Sequence, residues 1–161
     1  MTLLRPAGNR AMTPIPFQRA LETHRDDVWR YLRGMVGAQA AEDCFQETFL
    51  AALRAYPRLR PDSNVRAWLL TIAHRKAIDH VRQRPEVPLS AASPEASVDA
   101  EPSDPAIWNA VAELPPRQRA SVLLRYACDL PHREIASALG CSEPAARRSL
   151  HEGLKRLRET L

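Results

Sequence analysis

The sequence predicts an all-α protein of two small helical domains, a helical bundle and a helix-turn-helix, joined by a flexible linker. Three observations predict it. Apolar residues recur at spacings of three and four along most of the chain, the period of an amphipathic helix. One stretch rich in Pro, Ser, Ala and acid interrupts that pattern near the middle. A short helical run, a glycine and a longer helical run then close the chain, which is the helix-turn-helix order.

Each element has its own warrant. Residues 1–16 contain Pro6, Gly8, Pro14 and Pro16 and read as a disordered N-terminal tail. From Phe17 to Val36, the apolar positions Phe17, Leu21, Val28, Tyr31, Leu32, Met35 and Val36 share a face, with Gly37 as a stop. A second helix, from about Ala40 to Tyr56, turns Phe45, Phe49, Ala52, Leu53 and Tyr56 inward and ends at Pro57. A third starts near Asn64 or Val65, buries Val65, Trp68, Leu69 and Ile72, and continues through Lys76, Ile78 and Val81 towards Pro85. Residues 17–84 therefore form one domain around a shared core. Residues 85–103 hold Glu86, Glu95, Asp99 and Glu101, no base and no periodic apolar face. Such a segment cannot repay the entropy of ordering itself and reads as a linker. Residues 104–161 form the second domain. Ile107, Trp108, Val111 and Leu114 make a short helix stopped by Pro115 and Pro116, and Arg117 to Cys128 carries Val122, Leu123 and Tyr126 on a stripe. His132 to Leu139 is the short helix of the motif, Gly140 its left-handed turn and Ser142 the N-cap of the last helix. Pro144 sits in that helix's first turn, and Ala146, Leu150, Leu154, Leu157 and Leu161 form its apolar stripe.

Composition narrows the function. The chain has 161 residues, 45% of them hydrophobic, with 23 Lys and Arg against 19 Asp and Glu for a net charge of +4. Mild basicity permits a nucleic-acid or acidic partner. Three cysteines, an odd number, argue against a disulfide scaffold. No apolar run approaches the ~18 residues of a membrane span, and the first residues do not read as a signal peptide. The expected setting is soluble, reducing and cytoplasmic. Cys44, Cys128 and Cys141 form no metal-ligand spacing with the five histidines, and no phosphate-binding glycine loop or HExxH occurs. Neither a metal, a cofactor nor an enzymatic activity is expected. Cys44 and Cys128 suit small core positions, and Cys141 a turn.

The helix surfaces differ in sign. The second helix offers Asp43, Gln46 and Glu47 at spacings of three and four, a patch that repels DNA and suits a basic protein surface. The third carries Arg66, His74, Arg75, Lys76, His80, Arg82 and Arg84, a cationic face suited to a nucleic-acid strand. Asp79 among them is expected to pair with Arg75 or Lys76, and Trp68 reads as core rather than as a base-stacking ring. The last helix presents Arg147, Arg148, His151, Lys155 and Arg158, with Arg133 on the helix before it, as a helix entering a major groove requires.

The stretches AEDCFQETFLAALRAY at 41–56, NVRAWLLTIAHRKAIDHVRQR at 64–84 and ELPPRQRASVLLRYACDLPHREIASALGCS at 113–142 resemble bacterial RNA polymerase sigma factors of the sigma-70 family, in its extracytoplasmic-function (ECF) subfamily. The resemblance implies a sigma region 2 domain at 17–84 and a region 4 domain at 104–161, together directing the polymerase core to promoters. It implies that Asp43, Gln46 and Glu47 grip the clamp helices of the beta-prime subunit. It implies that Arg58, Arg60, Asn64, Arg75, Lys76, His80 and Arg82 recognise and hold the melted −10 element. Arg133, Ser142, Arg147, Arg148, His151 and Lys155 would bind the −35 element, while region 4 also meets the beta flap. The linker would run near the RNA exit path, and an anti-sigma factor would hold the chain inactive. One stretch departs from the family pattern. After GCSE, where Gly-Thr-Val, a basic residue, Ser and Arg are usual, the chain reads Pro144, Ala145, Ala146, Arg147, Arg148, Ser149. Glu152 also stands where a base is common. That departure motivates a second expectation: a sigma-like regulator or adaptor that binds polymerase or another protein but reads −35 DNA weakly.

Overall fold

The computed structural model describes residues 15–83 and 104–161. The tail and linker expectations fall almost wholly outside them. Seven α-helices occur among the described residues: α1 (Phe17–Val36), α2 (Ala38–Ala55), α3 (Val65–Gln83), α4 (Pro105–Glu113), α5 (Pro116–Tyr126), α6 (His132–Leu139) and α7 (Glu143–Thr160), with a 3-10 turn at Tyr56–Arg58 after α2.

The first three helices pack mutually. Val28, Tyr31, Leu32 and Met35 of α1, Ala41, Cys44, Phe49 and Ala52 of α2, and Leu69, Leu70, Ala73 and Ala77 of α3 are all buried together. Alanines on the inner faces of α2 and α3 let the helices approach, and aromatics fill the end of the bundle. Phe45 and Phe49 rings lie 4.7 Å apart, and Phe17 meets Tyr56 at 5.3 Å. Trp68 is half-buried beside Tyr56. Gly37 separates α1 from α2 at φ 83°, and Gly140 caps α6 at φ 66°, conformations that glycine adopts without a Cβ clash.

In the second half α5 lies at the centre, against α4, α6 and α7. Pro115 and Pro116 do more than stop α4: Pro115 is the N-cap and Pro116 the first residue of α5, where a missing N–H is tolerated. Asp104 caps α4 by accepting from the Ala106 N–H at 2.9 Å.

The two halves are packed on one another, α5 and α4 on α1 and α6 on α3. Leu123, Leu124, Cys128, Leu130, Ile135 and Ala136 belong to the same buried cluster as the first three helices. At the α1–α5 crossing, a Cβ on Gly34 would come within 2.6 Å of Leu123 Cδ2, so any larger residue there obliges the Leu123 side chain to shift. Arg119 is 5% exposed and donates to Met35 O across the seam (2.8 Å) and to Ala112 O and Leu114 O on its own side (2.8 and 3.0 Å). Arg66 of α3 donates to Cys128 O and lies 3.8 Å from Asp27.

Four expectations of burial fail. Leu53 is 51% exposed: it follows Gln46 by seven residues, which returns it to within about 20° of that outward side chain. Tyr126 is 65% exposed, two residues and about 200° beyond the buried Leu124. Ile107 in the first turn of α4 and Leu161 at the chain's last position are 45% and 66% exposed, because a helix end has fewer neighbours to pack on. Asp79 forms no ion pair among the described residues, whose pairs are Arg30–Asp27, Arg66–Asp27 and Arg147–Glu143.

Candidate functional site

The outer face of α2 is set by its inner one. Ala41, Cys44, Thr48 and Ala52 face the bundle, and the Thr48 hydroxyl is satisfied by donating to Cys44 O at 2.6 Å. Asp43, Gln46 and Glu47 consequently point outward, all exposed and without an ion pair among the described residues. The same stripe continues into Leu50 and Leu53, 53% and 51% exposed. The face therefore runs from acidic side chains into half-exposed leucines. Periodicity had assigned Leu53 to the core, and the clue to its outward position was its register with Gln46. Cys44 lies just beneath, its thiol pushed up to about 11 by burial and then by Glu47 and Asp43.

The −10 candidates spread over a long surface. Arg58 is in the 3-10 turn and Arg60 in the following loop, both exposed. Asn64 starts α3: its Oδ1 accepts from the Ala67 N–H at 3.1 Å, and its Nδ2 donates to Glu134 Oε1 of α6 at 2.7 Å. Arg75 and Arg82, seven residues apart, are exposed on one row, while Lys76 and His80 are half-buried on another. Eighteen residues of helix separate Asn64 from Arg82, about 27 Å along the axis, so these residues form a track rather than a pocket. His74 does not belong to the cationic face. Its Nδ1 lies 2.7 Å from the Tyr31 hydroxyl. Burial, followed by the nearby Arg117 and Arg75, lowers its pKa to about 4, so it is neutral at physiological pH.

The third surface joins α6 and α7. Gly140 turns the chain, and Ser142 Oγ accepts from the Ala145 N–H at 3.3 Å as the cap of α7. Ala146 and Leu150 bury one side of the helix, leaving Arg147, Arg148, His151 and Lys155 exposed on the other. Arg133 and Arg147 meet at an open depression of about 420 Å³ lined also by Arg125, Pro131, His132 and Glu143. Arg147 is paired with Glu143 at 2.8 Å on an exposed turn, and this pair lowers the Glu143 pKa. An exposed i,i+4 pair is worth little and exchanges readily for a phosphate. Arg148 has no ion pair among the described residues. These surfaces can bind and orient polymers; among the described residues no group of three or more His, Cys, Asp or Glu could hold a metal ion.

Sequence reasoning missed Arg119 and Gly34. An arginine that follows Arg117 and Gln118 resembles any exposed position until the partner carbonyls are known. Gly34 lies inside a helix rather than at its end, the usual sign of a close approach.

Comparison with known proteins settles the family. A family model described as Sigma-70 region 2 matches residues 20–85, and one described as Sigma-70, region 4 matches residues 105–157. The ECF RNA polymerase sigma factor SigC of Mycobacterium tuberculosis is 34% identical over 76% of this chain and 73% of its own length. The RNA polymerase sigma factor CarQ of Myxococcus xanthus is 33% identical over 90% and 88%. The fold is that of the sigma factor RpoE of Bartonella quintana, solved with the anti-sigma factor NepR: TM-score 0.74 at 21% identity, covering 89% of this chain and 95% of that one. The protein therefore belongs to the sigma-70 family of RNA polymerase sigma factors, in its ECF group, and is a transcription initiation factor rather than an enzyme.

Proposed function

We propose a division of labour among the three surfaces by which this sigma factor brings RNA polymerase to promoters. The outer face of α2, with Asp43, Gln46, Glu47, Leu50 and Leu53, holds the beta-prime clamp helices. Arg58, Arg60 and Asn64 meet the melted −10 element, and Arg75, Lys76, His80 and Arg82 follow its backbone. Arg133, Arg147, Arg148, His151 and Lys155 serve the −35 element, with Ser142 and the α7 N-terminus turned to a phosphate, and the beta flap docks on the same domain. The carrying observation is the opposition of charge: an unpaired acidic stripe on α2 and cationic flanks on α3 and α7. Two tethered modules that bind weakly alone gain from high effective concentration once either is engaged. Holding exposed bases more tightly than paired DNA is enough to favour the melted state.

No helix among the described residues is long and apolar enough to cross a membrane, and we place the protein in the cytoplasm with its polymerase. An anti-sigma factor is the proposed regulator, supported by a fold neighbour solved with one, RpoE with NepR; a second neighbour, CnrH, was solved with the cytosolic domain of CnrY.

Transcription start mapping with core enzyme and this chain is the direct test: a defined set of promoters is expected, and no initiation with folded protein would sink the proposal. Arg148→Ala is expected to weaken duplex binding by about 1–3 kcal/mol if the lost contact is a bidentate one to a base. Unchanged affinity would remove Arg148 from the −35 surface. A salt-sensitive signal without sequence preference would favour the adaptor reading.

A further inference from the structure

We propose that Glu143 is a specificity residue of the helix-turn-helix: with Arg147 it forms a two-headed reader of one C·G base pair, the carboxylate accepting from the cytosine amino group and the guanidinium donating to the guanine. The inference deepens the sigma-factor reading and rests on it for the −35 element.

In a major groove, a recognition helix touches base edges with its N-terminal turn. The first turn of α7 holds few groups able to read a base. Pro144, Ala145 and Ala146 carry no hydrogen-bonding side chain, and Ser142 Oγ is engaged as the cap on the Ala145 N–H. What remains is Glu143, the first residue of α7, and Arg147 one turn later. Their side chains are 44% and 60% exposed, and the two heads meet at 2.8 Å.

A carboxylate on a DNA-binding face needs a donor to meet. Phosphates repel it, and so do guanine N7 and O6 and thymine O4, which are acceptors. The donors in the major groove are the amino groups of cytosine and adenine. Adenine sets its N7 acceptor beside its amino group, against the second carboxylate oxygen, whereas cytosine has only a C–H there. Cytosine is therefore the base from which Glu143 accepts best.

The surroundings keep Glu143 in its accepting form. The hydrogen bond from Arg147, with the charges of Arg147, His132 and Arg133, holds its carboxyl below the usual value. Arg125, His132 and Arg133 line the same open depression as the pair, so a strand backbone still meets cations there. Two other acids near this domain's helices are engaged elsewhere: Glu134 accepts from Asn64 at the start of α3, and Glu152 from Gln118 of α5.

The spacing of the two heads matches the ligand. Acceptor and donor lie one hydrogen bond apart in the protein. In a C·G pair the cytosine amino group and guanine O6 also lie one hydrogen bond apart, with guanine N7 free for the second guanidinium nitrogen. A·T puts the thymine methyl group in that place. A phosphate takes Arg147 only by drawing it away from Glu143, but a C·G pair engages both heads at once. Were Glu143 only a complement to the helix dipole, its loss would change stability and overall affinity but no base preference.

Selection from a duplex library randomised over the −35 segment, with the full-length chain bound to core enzyme, reads that preference position by position. The unmodified chain is expected to enrich C·G at one position at least about tenfold over the other pairs, as a good base contact does. Glu143→Ala is expected to flatten that position to within about twofold, to leave the others, and to raise retention of unrelated duplex because a repulsive charge is lost. Glu143→Gln is expected to admit adenine there, since an amide fits adenine N6 and N7. Arg147→Ala is expected to flatten the same position. No enriched C·G position, unchanged preferences in both Glu143 variants, or Glu143 and Arg147 variants that flatten different positions would each overturn the proposal. Failure to retain core enzyme in a pull-down would instead reject the polymerase reading. The same selection on the immobilised full-length chain without core enzyme then still decides for or against Glu143.

Discussion

α2 and α3 lie side by side in one bundle, yet they meet the rest of the molecule in opposite ways. α2 shows its acidic and leucine stripe to solvent, whereas α3 is packed under α6 near its start and makes its first contacts with the helix-turn-helix domain. The difference follows from the side chains. α2 carries Asp43, Glu47 and exposed leucines outward with no ion-pair partner among the described residues, while α3 offers Asn64 and Arg66, each of which finds an acceptor across the seam. One face of the bundle is left to solvent, and the start of the other is covered.

The largest expected effect is on the covered side. Arg119→Ala removes one buried guanidinium and leaves the carbonyls of Met35, Ala112 and Leu114 without their donor. Losing bonds to a charged donor in a buried site is expected to destabilise the chain by about 3–4 kcal/mol, lowering the melting temperature by roughly 10 °C. A melting curve that moves by less than a degree would show that the seam is not held there. On the open side, Asp43→Arg with Glu47→Arg is expected to weaken core-enzyme binding about 100-fold with helicity unchanged by circular dichroism. Binding that survives would reduce that face to a solvated one.

A titration connects the two sides. His74 faces Tyr31 of α1 and Arg117 of α5, with Arg75 on its own helix. Its pKa falls from 6.5 to about 4 in the folded chain, so the unfolded state binds the proton more readily. Stability from this group is fully present above pH 6.5 and is lost as pH falls towards 4, by about 2 kcal/mol after allowing for partial exposure. Denaturant unfolding at pH 7 and pH 4.5 measures the loss, and His74→Gln should flatten it. An equal slope in the variant would remove His74 as its source.

Much of this was legible in the sequence. Helix periodicity, Gly37, Gly140, Ser142 and the prolines mark positions where local chemistry alone decides the conformation, and the structure uses them so. The acidic and cationic residues were legible as surfaces because charge seldom goes inside without a partner. The seam was not legible, because docking α5 on α1 depends on a shape match between Gly34 and Leu123 separated by most of the chain. His74 was read as a cation for the same reason: its neutrality is imposed by Tyr31 and by burial, neither of which its neighbours in sequence disclose.

The smallest effect is the sharpest discriminator between an open face and a covered one. Leu50 and Leu53 are large apolar residues that the fold leaves half in water, so replacing them removes little buried area from the chain itself. Leu50→Ser with Leu53→Ser is expected to change unfolding free energy by no more than about 0.5 kcal/mol, although leucine to serine in a core would cost several times that. If the stripe is a binding surface, the same variant loses apolar burial in the complex, and core affinity drops about tenfold, equivalent to about 1.4 kcal/mol. Stability and affinity then separate, which neither a packing role nor a solvated surface predicts. Chemical denaturation and core-enzyme titration on one preparation decide it: a stability loss places the leucines in the fold, and an unchanged affinity confines polymerase binding to Asp43, Gln46 and Glu47.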